Sequence, residues 1–185
     1  MKISMIKNDN TLDNSYLEQL INQIKKELDK KTSNFSDIND IVNRQVLLPF
    51  AKWTEKAYTR VCLFENKAFE LILICWNPMA QTTIHDHNEQ SCRVFFFDGP
   101  FQETIYCDKG EESLSIKNIE PGTTTCMKKG RACHSLKNLS NHPVMTLHLY
   151  NEPIKSCRTR KNEEIQMKET TLKYDFLVQD LLAPI

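Results

Sequence analysis

The spacing of apolar residues changes period once along the chain, close to residue 57. Before that point it is helical. Leu17, Leu20, Ile21, Ile24 and Leu28 recur at i, i+3, i+4, i+7 and i+11, a single stripe that predicts a helix over 13–30. Asp13, Asn14 or Ser15 is placed to cap it. A polar link follows. Ser36 is then expected to cap a shorter helix whose stripe is Ile38, Ile41, Val42 and Val46. Pro49 is expected to open a third short piece over 50–56.

From Tyr58 the texture becomes that of strands: short runs of β-branched and aromatic residues between turn signals. Strands are predicted at 58–64, 69–76, 82–87, 93–98, 102–107, 114–119, 123–127, 134–138 and 144–150. The breaks include Asp98-Gly99-Pro100, Pro121-Gly122 and Asn141-His142-Pro143. After Tyr150 the chain reads as a charge-rich link, then a strand region over 163–174, then an apolar tail packing back on the body. Many short strands at steady spacing imply a mainly β sandwich or barrel with an N-terminal α-helical preface. No segment reads as a linker between domains. The expected organisation is one domain over 1–185, with preface 1–56, β-barrel 57–175 and C-terminal tail 176–185.

Composition adjusts this picture in small ways. Lys plus Arg equals Asp plus Glu at 24 each, so nothing in the charge calls for nucleic acid or an anionic membrane. No apolar run has the length of a membrane span, and the N-terminus lacks the apolar core of a signal peptide. Seven cysteines stand at scattered positions with no C-x-x-C pair, which reads as reduced thiols in a cytoplasmic protein. Four glycines are few for an all-β chain and weigh against a barrel.

The chemistry gathers around His85-Asp86-His87. In an extended segment, side chains two apart share a face, so the two imidazoles aim at one point while Asp86 faces away. With five histidines in the chain, such a pair means little alone. His134 opens a strand about fifty residues later, a suitable place for a third ligand. His142 reads as a solvated turn residue. On the run 144–150, Met145, Leu147 and Leu149 share one face, and Thr146, His148 and Tyr150 share the other. A hydroxyl, an imidazole and a phenol in a row suit a relay lining a semi-polar cavity. Tyr58 and Arg60 likewise share a face, and the guanidinium suits a carboxylate. Three neutral imidazoles would hold a divalent transition metal; zinc, iron, copper and nickel stay open on ligand type.

Taken in order, Tyr58-Thr59-Arg60, Ile74-Cys75-Trp76, His85-Asp86-His87, Cys92, Gly99, Glu103-Thr104, His134, Leu147-His148-Leu149-Tyr150 and Cys157 resemble cysteine dioxygenase over about 45–157. The resemblance implies a small cupin (jelly-roll) β-barrel with a non-haem Fe(II) cofactor. It implies that His85, His87 and His134 are the iron ligands. Cys92 occupies the place where general cupins carry a glutamate ligand. In the animal enzymes the matching cysteine forms a thioether to the tyrosine that Tyr150 matches, whereas many bacterial relatives have glycine there. A Cys92–Tyr150 cross-link is therefore implied, reaching across the barrel. The resemblance also implies that Arg60 binds the substrate carboxylate with Tyr58 beside it. His148 would hydrogen-bond the Tyr150 hydroxyl, and Thr146, where the family usually has serine, would orient His148. Trp76 would pack near the site, Cys157 would lie at the pocket mouth and Met167 would line the pocket. The implied reaction converts L-cysteine and O2 to cysteine sulfinate, in cysteine catabolism and taurine biosynthesis. The implied protein is a cytoplasmic monomer acting on a small molecule.

Three rivals stand beside this reading. A sister thiol dioxygenase acts on 3-mercaptopropionate, but such relatives generally lack the matches to Arg60 and Cys92. A non-catalytic metal-binding cupin would consume no oxygen. A zinc or manganese cupin isomerase would give no role to Thr146, His148 and Tyr150.

Overall fold

The computed structural model describes residues 10–30, 35–88, 90–107, 113–127, 133–161, 164 and 166–178. Its helices are α1 (Asn10–Asp29), α2 (Ser36–Ile41) and α3 (Arg44–Leu47), followed by a 3₁₀ turn at Leu48–Phe50. Twelve strands follow: β1 (Tyr58–Glu65), β2 (Glu70–Trp76), β3 (Ile84–His85), β4 (Cys92–Phe96), β5 (Phe101–Tyr106), β6 (Ser113–Ile119), β7 (Thr123–Met127), β8 (Cys133–Asn138), β9 (Val144–Tyr150), β10 (Ser156–Arg160), β11 (Lys168–Thr171) and β12 (Phe176–Leu177). They form two six-stranded sheets, ordered β12-β1-β2-β9-β4-β7 and β11-β10-β3-β8-β5-β6. All pairings within the sheets are antiparallel except the short β1–β12 contact. The strand spacing implied a mainly β sandwich or barrel, and the resemblance a jelly-roll; the two sheets fit both.

Strand alternation divides the first sheet into two faces. Leu71, Leu73 and Cys75 of β2 join Met145, Leu147 and Leu149 of β9 on the outer face, all fully buried. The preface covers them: Leu17, Leu20 and Ile24 of α1, Ile38 of α2 and Phe50 belong to the same cluster. Each such side chain contributes about 1.5–3 kcal/mol when fully buried. The α1 stripe is thus used as its spacing required. The inner face carries Ile72, Ile74, Trp76, Val94 and Phe96, and packs on Phe101, Ile119 and Leu136 of the second sheet. Trp76 meets Phe101 edge-on, with centroids 5.2 Å apart.

Few glycines suffice because few turns need them. Gly99, at φ 116°, makes the β4–β5 turn; a Cβ there would lie 2.8 Å from Val144 Cγ1. Asp98 anchors the same turn by accepting the Met145 N–H at 3.0 Å and by pairing with Arg44.

The structure departs from the expected elements in several places. Helix α1 begins at Asn10, so Asp13, Asn14 and Ser15 lie inside it. Phe35, not Ser36, holds the N-cap position of α2, with a left-handed backbone. The stripe through Val46 is split between α2 and α3, where Asn43 caps the second by accepting the Val46 N–H at 3.3 Å. Residues 51–56 form no helix. Instead, Trp53 Nε1 donates to the Trp76 carbonyl at 3.2 Å, and Asn77 Nδ2 donates to the carbonyls of Thr54 and Lys56. Those bonds hold the segment extended across the end of β2. Finally, the charge-rich link contains strand β10. Beyond Val178 the tail lies outside the described residues; Phe176 and Leu177 pair with β1, and Val178 is buried in the outer core.

Candidate metal centre

His85 ends β3, where it pairs with His134 of β8. His87 follows just past the strand, in a turn built by Asp86 and Asn88. The Asp86 carboxylate accepts the Asn88 N–H at 3.3 Å, the Arg158 N–H at 2.8 Å and Arg158 Nε at 2.6 Å. Asn88 takes a positive φ of 46°, a conformation asparagine tolerates better than most residues. Asp86 thus does more than face away. It is almost wholly buried and ties the histidine turn to β10.

Donor atoms of His85, His87 and His134 all lie within 4.8 Å of one another. His85 Nδ1 donates to the Thr83 carbonyl at 3.0 Å, which leaves Nε2 with its lone pair. His134 Nδ1 donates to the Glu103 carboxylate at 2.7 Å and likewise frees Nε2. The Nε2 atoms of His87 and His134 are 3.1 Å apart, a spacing that two nitrogens adopt when each sits about 2.1 Å from one ion. Burial lowers the proton affinity of all three imidazoles, and neighbouring imidazoles add to the effect on His87 and His134. Neutral, convergent and lone-pair-forward, the set fits a divalent transition metal. Glu103 was quoted in the sequence only as part of a matching run. Its partner on β8 shows what it does, and no spacing rule links residues on neighbouring strands.

The pocket over this group is small, with about 60 Å³ of free space. A single water needs roughly 10–15 Å³ on that measure, so the pocket takes a compact molecule. Tyr58, Arg60, Trp76, His148, Tyr150 and Cys157 contribute to its walls. Arg60 Nε and Nη2 are buried there without a hydrogen-bond partner, as is His87 Nδ1. Tyr58 packs on Trp76 with ring centroids 5.2 Å apart. Leu172 lines the pocket, whereas Met167 does not. Met167 stands just before β11, which begins at Lys168.

On β9 the three polar residues point inward as their alternation required. Trp76 Nε1 donates to Thr146 Oγ1 at 2.8 Å, and that oxygen lies 2.9 Å from His148 Nε2. The indole can only donate, so the hydroxyl accepts from it and uses its remaining capacity on His148. Burial and surrounding positive groups hold His148 neutral. The His148 and Tyr150 rings are near-parallel, with centroids 6.4 Å apart. Among the described residues His148 bonds Thr146 and not the Tyr150 hydroxyl, and Tyr150 stands beside Cys92. The two residues are direct cross-strand partners on β4 and β9, so Cys92 reaches Tyr150 within one sheet rather than across the barrel. Burial pushes both groups' pKa upward, keeping phenol and thiol protonated.

Fold comparison alone gives the broad class. A double-stranded β-helix protein of Klebsiella pneumoniae superposes with a TM-score of 0.50 at 11% identity, over 57% of this chain and 81% of its own. Sequence comparison is more specific. The family model "Cysteine dioxygenase type I" matches residues 5–163. The cysteine dioxygenase type 1 of Danio rerio is 26% identical over 156 residues, 77% of this chain and 78% of its own. That of Bos taurus is 27% identical over 115 residues, 58% of each chain. With the match running from the preface through the three histidines to the end of β10, this chain belongs to the cysteine dioxygenase type I family.

Proposed function

We propose that this thiol dioxygenase uses Fe(II) to convert L-cysteine and O2 to cysteine sulfinate. The observation that carries the substrate is Arg60, whose buried Nε and Nη2 lack a partner beside three imidazoles. A buried guanidinium left unpaired is costly. A carboxylate on the substrate would satisfy it through paired hydrogen bonds.

On this reading His85, His87 and His134 hold the iron. Bound ferrous iron would supply the redox chemistry with O2 and two positions for the substrate thiolate and amine. The protein then contributes geometry. Arg60 fixes the carboxylate, with Tyr58 beside it on the same strand face. With three handles held, the sulfur has one orientation, and catalysis proceeds largely through that orientation. Tyr150, kept protonated by burial, donates a hydrogen bond into the pocket. Trp76, Thr146 and His148 form a hydrogen-bonded row that stiffens the wall next to Tyr150. Cys157, 4% exposed, borders the pocket and limits its size. The direct cross-strand pairing of Cys92 with Tyr150 supports a thioether cross-link between them. A cytoplasmic monomer of one domain over 1–185 is the corresponding assembly, supported by the preface sharing one apolar cluster with the first sheet.

The deciding experiment is product analysis after aerobic turnover of the iron-loaded protein with L-cysteine and, separately, 3-mercaptopropionate. Cysteine sulfinate with the higher kcat/KM for cysteine is the expected result. A higher kcat/KM for 3-mercaptopropionate would reassign the substrate, and no oxygen uptake with either thiol would remove the activity. Intact mass spectrometry of the turned-over enzyme should show a fraction two hydrogens lighter, absent from Cys92→Ser. Parent protein found wholly at the mass of its own sequence would rule out the cross-link.

A further inference from the structure

We propose that Asp175 is a positioning residue for Arg60, holding the arginine where it reads the substrate carboxylate. The inference rests on the reading of Arg60 given above, and it adds the C-terminal segment to the specificity apparatus.

Strand β1 has β2 on one side and only the two-residue β12 on the other. The parallel register of β12 starts at Val61↔Phe176 and Cys62↔Leu177. Arg60 stands one residue before that pairing begins. Its peptide groups face the open edge, and both are taken by Asp175. The Arg60 N–H donates to Asp175 Oδ2 at 2.8 Å, and the Asp175 N–H donates to the Arg60 carbonyl at 2.9 Å. Lys56 pairs with the other carboxylate oxygen from the exposed side. The carboxylate thereby extends the ladder by one residue, using a side chain where the strand itself has not yet formed.

The consequence falls on the side chain. Arg60 projects to the opposite side of the sheet from its buried neighbours Thr59 and Val61, into the pocket. Its guanidinium has two buried nitrogens with no protein partner to aim it. Its direction is therefore set by the backbone from which it springs, and Asp175 fixes that backbone on its one otherwise open side. An edge peptide without such partners samples more conformations. Displacing a substrate clamp by a fraction of its reach weakens binding of the group it clamps and leaves other groups unaffected.

The test uses the full iron-loaded chain with L-cysteine as substrate and cysteamine, which has the same thiol and amine but no carboxylate, as a competitor. Asp175→Ala should raise the KM for cysteine about tenfold, the value of roughly one lost hydrogen bond, and leave the Ki of cysteamine unchanged. Asp175→Asn keeps an oxygen acceptor for the Arg60 N–H and should restore the KM to within about twofold. On the metal-free protein, amide hydrogen exchange over residues 58–62 should quicken in Asp175→Ala and return toward normal in Asp175→Asn. Each comparison is internal to one variant. A general loss of structure would weaken both thiols together and count against the proposal, as would an Asn variant no better than Ala. Arg60→Gln separates the two layers. If it raises the cysteine KM while Asp175→Ala does not, the positioning role fails and the Arg60 reading stands. If Arg60→Gln leaves the KM unchanged, the Arg60 reading itself fails.

Discussion

Strands β2 and β9 are buried on both faces, yet the two faces obey different rules. The outer face, under the helical preface, is Leu71, Leu73, Cys75, Met145, Leu147 and Leu149. The inner face of the same strands holds Glu70, Thr146, His148 and Tyr150 among its apolar residues. The outer face needs only volume and fit. The inner face must satisfy every polar atom it buries. Glu70 shows how: fully buried, it accepts the Ile154 N–H at 3.0 Å and is bonded by the Tyr174 hydroxyl. Trp76, Thr146 and His148 satisfy one another in a row. Among the described residues the accounting is left open at Arg60 and His87 Nδ1, which belong to the pocket walls, and at Ser140 Oγ, which does not. The same pair of strands is a packing surface on one side and a recognition surface on the other.

That contrast can be broken by moving each face separately. His134→Ala should abolish metal binding, because two imidazoles hold an ion poorly; metal content measured by atomic spectroscopy is expected to fall from near one per chain to background, with affinity down more than about a hundredfold. Near-normal content would remove His134 from the site. Leu147→Ala on the outer face should cost about 3 kcal/mol of stability in denaturant unfolding, while the folded protein keeps its full metal content. A loss of metal in parallel with stability would show that the two faces are not independent. Thr146→Val, close to isosteric, leaves the Trp76 indole without an acceptor and His148 without its partner. A loss of about 1–2 kcal/mol is expected, together with lower turnover, and Thr146→Ser should recover both. A Val variant as active and stable as the parent would mean that the row is only packing.

Much of this was legible from residues alone. Strand β9 has the limits read from its alternation, and β7 matches its run residue for residue. That Tyr58 and Arg60 share a face followed from period two, whereas the inward direction of that face was implied only by the resemblance. The failures have physical causes. Strand β10 was hidden because Arg158 and Arg160 read as a solvated link, yet Arg160 is 8% exposed and its Nη1 is taken by the Glu164 carbonyl. Strand β3 is two residues rather than six because Asp86 turns the chain at the second histidine. The expected helix after Pro49 lost to side-chain bonds from Trp53 and Asn77, which only the fold supplies. Cys92 and Tyr150 were linked only through the resemblance; their cross-strand adjacency is a matter of sheet order, and local patterns do not determine which strands lie side by side. Glu103 and Asp175 were missed for the same reason: each acts on a residue far away in sequence.

The short parallel contact between β12 and β1 also bears on the order in which the site is completed during synthesis. The Arg60 amide waits for a carboxylate 115 residues downstream. The three imidazoles are all present once the chain has passed His134, forty residues or so earlier, and domains fold as their parts emerge. A nascent chain therefore possesses its metal-binding group before the edge of β1 is secured. On the proposed reading of Arg60, the residues that would hold the metal are thus synthesised before the one that secures the substrate clamp.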